Sequence, residues 1–209
     1  MNDYQITLDN ISKSFSNRLV FKNLSYQFEP KKIYGISGKN GSGKTTLLKL
    51  ISGVLTPTKG KIRHTYQNKI INQENAFQHI GFVAPYLILY DEFSAIENFN
   101  LLSKIKGKYF DLEYCKGLLT RLELYERRNE PLKNFSSGMK QRVKLLFALL
   151  NNPSVLILDE PTTNLDKQGK EIFTELIKIQ KNKIIVIASN DSSEITMCNN
   201  ILNIEEFTK

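Results

Sequence analysis

The sequence predicts an α/β fold, in which a mostly parallel sheet is flanked by helices and joined to an N-terminal antiparallel β subdomain and a helical insertion. Three observations lead to this prediction. A strand-like run at 32–36 passes through a glycine-rich loop into an apolar helical run at 46–51. A second apolar run, 155–158, has the composition of a buried strand and ends in two carboxylates. Strand and helix patterns also alternate along the chain, which is typical of parallel sheets with helical crossovers.

Antiparallel β structure is predicted for residues 4–36. Apolar and polar residues alternate at 5–8 and again at 24–28, as they do in strands that have one buried face. A polar loop, 14–18, separates the two segments and holds a single aromatic residue, Phe15.

The glycine-rich loop matches the phosphate-binding pattern G-x-x-x-x-G-K-[ST] (the P-loop) between a strand and a helix. Its glycines allow a tight turn that points successive backbone N–H groups at a polyphosphate, and the following helix adds the positive end of its dipole. Lys44 is expected beside the β- and γ-phosphates, and the Thr45 hydroxyl on Mg²⁺. By itself this pattern indicates only a protein that binds nucleotide phosphates, since kinases, GTPases and motor ATPases all carry it. The residues predicted to bind the nucleotide here are Gly38, Lys39, Asn40, Gly41, Ser42, Gly43, Lys44, Thr45 and Thr46.

Two interpretations of Phe15 remain open from the residues alone. An aromatic residue on a loop upstream of a P-loop can stack on a nucleotide base, because every base has a π-face. An aromatic residue at the end of a strand can equally be buried in the core.

Further strands are predicted after the P-loop helix. Short strand-like segments follow at 60–66 and 68–71. The apolar run 80–83 predicts a buried strand, and Pro85 ends it because proline cannot donate to a sheet.

Helical spacing of apolar residues then dominates residues 93–128, which we interpret as a helical insertion with Pro131 at its exit. We therefore expect one domain across the 209 residues. Its α/β core is predicted at 1–84 and 152–209, and its helical subdomain at about 85–151.

Asp159 and Glu160 follow the buried strand directly. Ligands bind at the carboxyl edge of such strands, so an acid there can hold Mg²⁺ and the next can orient or deprotonate the attacking water. The alternative is a pair of acids that cap the following turn. The elements expected beyond this strand are helices at 165–180 and 192–199 and strands at 183–188 and 201–204.

A serine-rich segment opens the helix predicted at 136–150. Ser136, Ser137 and Gly138 would offer hydroxyl and N–H donors to an anion, with the helix dipole behind them. A plain serine N-cap is the alternative interpretation.

Composition sets broad limits on the chain. The formal net charge is +8, and its lysines are scattered apart from a short cluster at 104–108, which indicates a solvated surface more than an anionic partner. Cys115 and Cys198 lack metal-ligand spacing and are expected to be reduced structural thiols in a cytosolic protein. We expect no membrane span and, from residues 1–5, no signal peptide.

Together these motifs make the chain resemble the nucleotide-binding subunits of ATP-binding-cassette (ABC) transporters, and the resemblance runs nearly from end to end. The P-loop is Gly38–Thr45, and residues 135–139 match the signature motif of the family. The Walker B strand is matched by 156–159 and is followed by Glu160, and residues 161–166 match the following turn and D-loop. Phe15 falls where the family keeps its adenine-stacking aromatic residue, which favours the stacking interpretation.

The resemblance implies a mechanism and partners. Two cassettes would close head to tail around two ATP molecules with Mg²⁺ held by Thr45 and Asp159. Ser136, Ser137 and Gly138 of one cassette would cap the γ-phosphate held by the P-loop of the other. Glu160 is then expected to be the catalytic base, with Lys44 and Asn190 as further catalytic residues.

Two positions depart from the family pattern. The Q-loop glutamine falls on Pro85, which supplies no side-chain amide and stiffens a hinge. The switch histidine is replaced by Asn190, which can donate a hydrogen bond but cannot become cationic. Ser137 and Met139 also make the signature unusual. We therefore expect intact ATP binding and slow hydrolysis.

The expected function is that of an ATPase subunit that drives a separate membrane permease. The short single-cassette form resembles the heme-exporter and ABC-2 types, so export is expected more than import. Such a subunit would be cytoplasmic and peripheral on the inner face of the cell membrane, paired with a second cassette and without direct nucleic-acid contact. The alternative is a soluble ABC-like ATPase that acts on ribosomes or nucleic acid, for which the +8 charge is the one supporting observation.

Overall fold

The computed structural model describes residues 3–16 and 18–208. Met1, Asn2, Asn17 and Lys209 lie outside the described residues, so the expectations that involve them stay predictions. Within the described residues no helix is long and apolar enough to cross a bilayer. Cys115 and Cys198 are both free thiols, as expected.

The strands and helices follow the predicted order, except for one short helix at 73–77 that the sequence did not predict. The strands are β1 (Tyr4–Phe15), β2 (Arg18–Phe28), β3 (Lys32–Ser37), β4 (Lys59–Tyr66), β5 (Lys69–Ile71), β6 (Ile80–Val83), β7 (Val155–Asp159), β8 (Ile184–Ala188) and β9 (Asn200–Asn203). The α-helices are α1 (Lys44–Ile51), α2 (Gln73–Phe77), α3 (Ala95–Ile105), α4 (Leu112–Arg121), α5 (Ser137–Leu149), α6 (Lys167–Ile179) and α7 (Ser192–Thr196). Single 3-10 turns occupy Tyr125–Arg127, Leu132–Asn134 and Ile204–Phe207.

The first sheet is antiparallel, with strand order β2-β1-β4-β5. Tyr4, Ile6 and Leu8 are buried, while the residues between them face outward, which confirms the predicted alternation. The prediction that antiparallel structure extends to residue 36 is wrong. Strand β3 pairs in parallel with β8, with Lys32 opposite Ile184, because its apolar residues complete the other sheet.

The second sheet has strand order β6-β7-β8-β3-β9. The pairs β7–β8, β3–β8 and β3–β9 are parallel. Every residue of β7 and β8 is buried, as expected of strands covered on both faces. This arrangement confirms the predicted fold class and aligns the carboxyl ends of β3, β7 and β8 on one edge.

Contacts divide the chain into two compact units. The first unit holds both sheets and comprises residues 1–82, 154–160 and 182–209. The second unit is helical and comprises residues 83–153 and 161–181. This division groups 161–181 with the helices, whereas the sequence-based division places that segment in the core.

Helix starts in the second unit follow ordinary capping chemistry. Ser94 and Glu97 form a capping box at α3, in which each side chain bonds the other residue's backbone N–H. Ser136 caps α5 by accepting a hydrogen bond from the Met139 N–H at 3.2 Å. Asp166 caps α6 in the same way through the Gly169 N–H at 2.8 Å.

Candidate active site

The P-loop connects β3 to α1 through three residues with left-handed backbone. Gly38, Gly41 and Gly43 have φ of 148°, 80° and 106°, which side chains rarely tolerate. A Cβ at Gly43 would also lie 2.5 Å from a Val20 methyl carbon. The loop therefore requires glycine at this position for both backbone conformation and space.

The beginning of α1 is suited to an anion. Among the described residues, no side chain caps its N-terminus at Gly43, so the first N–H groups of the helix face the loop with the helix dipole behind them. The Ser42 hydroxyl is buried and has no hydrogen-bond partner in the part of the chain that the structure describes. A buried donor of this kind costs free energy until a ligand accepts from it, and phosphate oxygens supply such acceptors.

Lys44 lies at the centre of the loop and is 7% exposed. Its ammonium group donates to the carbonyl oxygens of Gly38 at 2.7 Å and Lys39 at 3.3 Å. It donates a third hydrogen bond to Asn190 Oδ1 at 2.9 Å. The cation is thus held inside the curve of the loop, where the sequence predicts the β- and γ-phosphates.

Thr45 and Asp159 meet at the edge of the parallel sheet. The Thr45 hydroxyl donates to Asp159 Oδ2 at 2.7 Å, and Asp159 is 2% exposed. Burial raises the pKa of Asp159, while the Thr45 hydrogen bond and the charge of Lys44 oppose that rise. A hydroxyl beside a carboxylate suits Mg²⁺, which takes one or two protein oxygens and completes its octahedron with water and phosphate.

Glu160 has a strained backbone. Its φ of 47° is left-handed, and its N–H donates to the Ala188 carbonyl at 2.8 Å. A non-glycine residue in this conformation costs roughly 1–3 kcal/mol and is concentrated at functional sites. Burial raises the pKa of the Glu160 carboxyl, against the lowering effects of Lys44 and of a hydrogen bond from Asn190.

Asn190 joins three of the predicted site residues. Its Nδ2 donates to Asn40 Oδ1 at 2.6 Å and to Glu160 Oε1 at 3.2 Å, while its Oδ1 accepts from Lys44. One amide therefore links the P-loop to the glutamate that follows β7. A neutral amide can do this because it both donates and accepts.

A cavity of about 880 Å³ is lined by the P-loop residues 39–45, by Asp159 and by Glu160, and it reaches Phe15. Among the described residues, the predicted site residues Gly38 and Asn190 do not line it. Its volume is in the range of ligand sites. Phe15 is 48% exposed and the Lys13 ammonium lies 4.8 Å from its ring centroid, so Phe15 is not a buried strand-end residue. Other lining residues are Thr46, Arg18, Leu19, Val20, Glu205 and Thr208.

Sequence reasoning missed Glu205 and Thr208. Glu205 lies in the last 3-10 turn, and its Oε1 accepts from the Lys39 backbone N–H at 2.7 Å. The Thr208 hydroxyl donates to the Glu205 carbonyl at 2.9 Å. These residues carry no motif, and 166 positions separate Glu205 from Lys39, so local pattern gave no signal for them.

The signature residues belong to the second unit, whereas the cavity is lined by residues of the first. Ser136 and Ser137 are exposed at the start of α5. A Cβ at Gly138 would lie 2.9 Å from the Asn164 carbonyl oxygen. Glycine at 138 thus lets the D-loop backbone pass close to the helix.

Pro85 also lies in the second unit. Its carbonyl accepts a hydrogen bond from the Lys144 ammonium at 2.9 Å. Lys140, one turn earlier on α5, pairs with Asp91 at 2.7 Å. The loop that follows β6 is thereby fastened at two points to the signature helix.

Residues 21–163 match the family model described as ABC transporter. This match covers more than half of the chain. The chain belongs to this family. It is an ATP-binding subunit of an ABC transporter, an ATPase whose substrate is ATP and whose usual metal is Mg²⁺, as the motifs predicted.

Relatives of this ABC cassette include proteins named for import and for export. The zinc import ATP-binding protein of Buchnera aphidicola is 36% identical over 93% of this chain and 77% of its own. The Nod factor export ATP-binding protein I of Burkholderia lata is 32% identical over 98% of this chain and 69% of its own. These names favour a transporter subunit over the alternative of a ribosome or nucleic-acid ATPase.

A solved ABC cassette has the same fold. It is a dimeric structure in a post-hydrolysis state bound to ADP and Pi, with a TM-score of 0.83 and 25% identity. The similarity covers 98% of this chain and 99% of the other. That protein is therefore like this one over nearly the whole length of both.

Proposed function

We propose that this cassette closes against a second cassette around ATP and thereby drives a separate membrane permease. The observation that carries the proposal is the chain of hydrogen bonds from Lys44 through Asn190 to Glu160, beside the Thr45–Asp159 pair. The residues proposed to bind phosphate, to hold the metal and to act as the base therefore line one cavity. In this proposal the subunit is cytoplasmic and peripheral on the inner face of the cell membrane.

Each residue has a role in this proposal. The P-loop N–H groups, the Ser42 hydroxyl and Lys44 bind the phosphates, and Phe15 stacks on the adenine. Thr45 and Asp159 hold Mg²⁺, which when bound neutralises phosphate charge. Glu160 accepts a proton from the attacking water, and Asn190 orients Glu160 and donates toward the γ-phosphate.

In this proposal, the second cassette supplies the signature residues that contact the γ-phosphate in the cavity of the first. Ser136, Ser137 and Gly138 are exposed or half-buried at the start of a 13-residue helix, where serine hydroxyls and N–H groups suit a γ-phosphate. The dimeric state of the related ADP-bound cassette supports this proposal. We also propose that residues at about 85–151 act as the helical subdomain that carries the signature and contacts the permease.

Association of two cassettes should depend on ATP, on the P-loop site and on the signature residues together. In the Glu160→Gln variant, ATP with Mg²⁺ is expected to convert the 24.0 kDa monomer into a species of twice that mass. Light scattering after size exclusion measures this. Ser136→Arg, which places bulk and charge at the exposed helix start, should abolish the dimer while ATP still binds. A dimer that persists in Ser136→Arg would contradict the sandwich.

Export is the transport direction that we propose, on the similarity to the Nod factor export protein. The similarity to the zinc import protein supports the opposite direction. ATP-driven movement of solute into inside-out vesicles that contain the subunit and its permease would establish export, and ATP-driven release would refute it.

Stacking on Phe15 should account for part of the ATP affinity. Phe15→Ala is expected to weaken ATP binding about 10- to 100-fold, because loss of base stacking costs roughly 1–3 kcal/mol. Phe15→Trp should restore it. Phe77→Ala is the matched control, since Phe77 is also an exposed aromatic residue (50%) of the same unit. Isothermal titration with ATP and with tripolyphosphate separates base from phosphate contacts, and equal ATP affinities of the Phe15 and Phe77 variants would contradict stacking.

A further inference from the structure

Arg127 ends the 3-10 turn Tyr125–Arg127. It lies upstream of residues 134–139, which contain the signature motif and are called the signature segment below. Two of its guanidinium nitrogens, Nε and Nη2, donate to Glu130 Oε2 at 3.0 and 2.7 Å. Nη2 also donates to the Asn134 carbonyl at 3.3 Å. Nη1 donates to Met139 Sδ at 3.2 Å. All three guanidinium nitrogens are therefore engaged.

The guanidinium plane has a further contact with the signature segment. Its central carbon lies 5.0 Å from the centroid of the Phe135 ring, within the range of a cation–π interaction. Phe135 is itself 6% exposed, so the ring is fixed by packing. Arg127 thus contacts the signature segment at its first residue, its aromatic residue and its last residue.

Ser136, Ser137 and Gly138 lie between these contacts. The guanidinium is a rigid, planar fork whose donors keep fixed relative directions. Contacts to the Asn134 carbonyl and to Met139 Sδ therefore restrain both ends of the segment that begins α5. Met139, one of the two residues that depart from the family signature, supplies a thioether acceptor for one of these contacts.

The ion pair between Arg127 and Glu130 is partly exposed, with side-chain exposures of 38% and 43%. Pairs of this kind add little to stability because water screens them and side-chain entropy opposes them. Loss of Arg127 should thus leave the fold intact. Its contacts are better explained by the geometry that they impose on the signature segment.

We propose that Arg127 is a positioning residue for ATP-driven closure. Its contacts hold Ser136 and Gly138 in the orientation that meets the nucleotide of the second cassette. This inference rests on the proposed function, since it concerns the same signature surface. It adds a residue outside every motif to the machinery of closure.

The test compares Arg127→Ala with Arg128→Ala. Arg128 is a matched control because its guanidinium stacks on Tyr125 at 4.1 Å and donates to the Tyr125 carbonyl at 2.9 Å. In the Glu160→Gln background, Arg127→Ala should weaken ATP-driven dimerisation at least about tenfold, as loss of one charge-assisted hydrogen bond would. ATP binding by the monomer should stay within about twofold of the unchanged protein, and Arg128→Ala should change neither quantity.

Arg127→Lys keeps the charge but lacks the fork, and should not rescue dimerisation. Met139→Leu removes the sulfur acceptor at similar volume. Its effect on dimerisation should be smaller than that of Arg127→Ala and not additive with it.

Hydrogen exchange of the monomer gives a readout independent of dimerisation. Amides of residues 134–140 should exchange faster in Arg127→Ala than in Arg128→Ala.

Equal dimerisation, or equal exchange at 134–140, in the two alanine variants would overturn the positioning role. Rescue by Arg127→Lys would also overturn it, since charge alone would then suffice. If Glu160→Gln itself fails to dimerise with ATP, the proposed closure is wrong. Hydrogen exchange then tests the restraint by itself. Unchanged exchange at 134–140 in Arg127→Ala would refute the idea that Arg127 restrains the signature segment, and faster exchange would uphold it.

Discussion

Replacement of Glu160 by glutamine is expected to lower kcat about 10²- to 10⁴-fold, the range that general-base catalysis contributes. ATP should still bind, because the P-loop, Lys44 and the Thr45–Asp159 pair stay intact. Glutamine has nearly the same shape and can still accept from Asn190, but it cannot take a proton. Phosphate release measures the rate, and retention of labelled ATP after gel filtration measures the trapped complex.

Glu171→Gln is the matched control for this prediction, since Glu171 is an exposed carboxylate on α6. The pH profile gives a second readout. Burial raises the pKa of Glu160, so the basic form is complete above that pKa and is lost as pH falls through it. Wild-type kcat should therefore decline on the acid side, and the residual rate of Glu160→Gln should lack this decline. Normal turnover by Glu160→Gln would show that another group is the base.

The P-loop and the buried strands could be predicted because their determinants are local. The positions of Gly38, Gly41 and Gly43 encode a backbone that few other residues adopt. The unbroken apolar run at 155–158 identifies a strand covered on both faces, as β7 proves to be. The carboxylates after it follow the general rule that ligands bind at this edge.

Pairing between distant segments could not be predicted in the same way. Strand β3 begins only a short turn after β2 ends, whereas its partner at 184–188 lies about 150 residues later, so local sequence did not separate the two sheets. Helix α2 has five residues, which is too short for helical periodicity to show. The Glu205–Lys39 hydrogen bond likewise depends on the completed fold.

The sequence predicts that Asn190, in place of the family's histidine, can donate a hydrogen bond but cannot become cationic. That expectation stays a prediction. The structure shows an amide with partners on both sides, Lys44 and Glu160. In the proposed ATP complex, Lys44 would exchange part of these contacts for phosphate, and the Asn190 amide would then contribute to the free energy of that exchange.

Replacement of Asn190 by histidine is expected to raise kcat about 10- to 100-fold, because a charge-assisted hydrogen bond to the γ-phosphate is worth roughly 1.5–3 kcal/mol. Histidine can become cationic as negative charge develops on that phosphate, whereas the asparagine amide stays neutral. Steady-state ATPase assays at saturating ATP compare the variants, and ATP affinity should change much less than kcat.

Asn190→Ala is the reference for this prediction, because it removes the contacts to Lys44, Asn40 and Glu160 together. Its kcat should fall below that of the wild type, since Glu160 would lose its orienting donor. Pro85→Gln restores the missing amide of the Q-loop. Combined with Asn190→His, it should raise kcat further than Asn190→His does alone. If Asn190→His is no faster than wild type while Asn190→Ala is slower, the asparagine already performs the full task, and the replacement of histidine does not limit turnover.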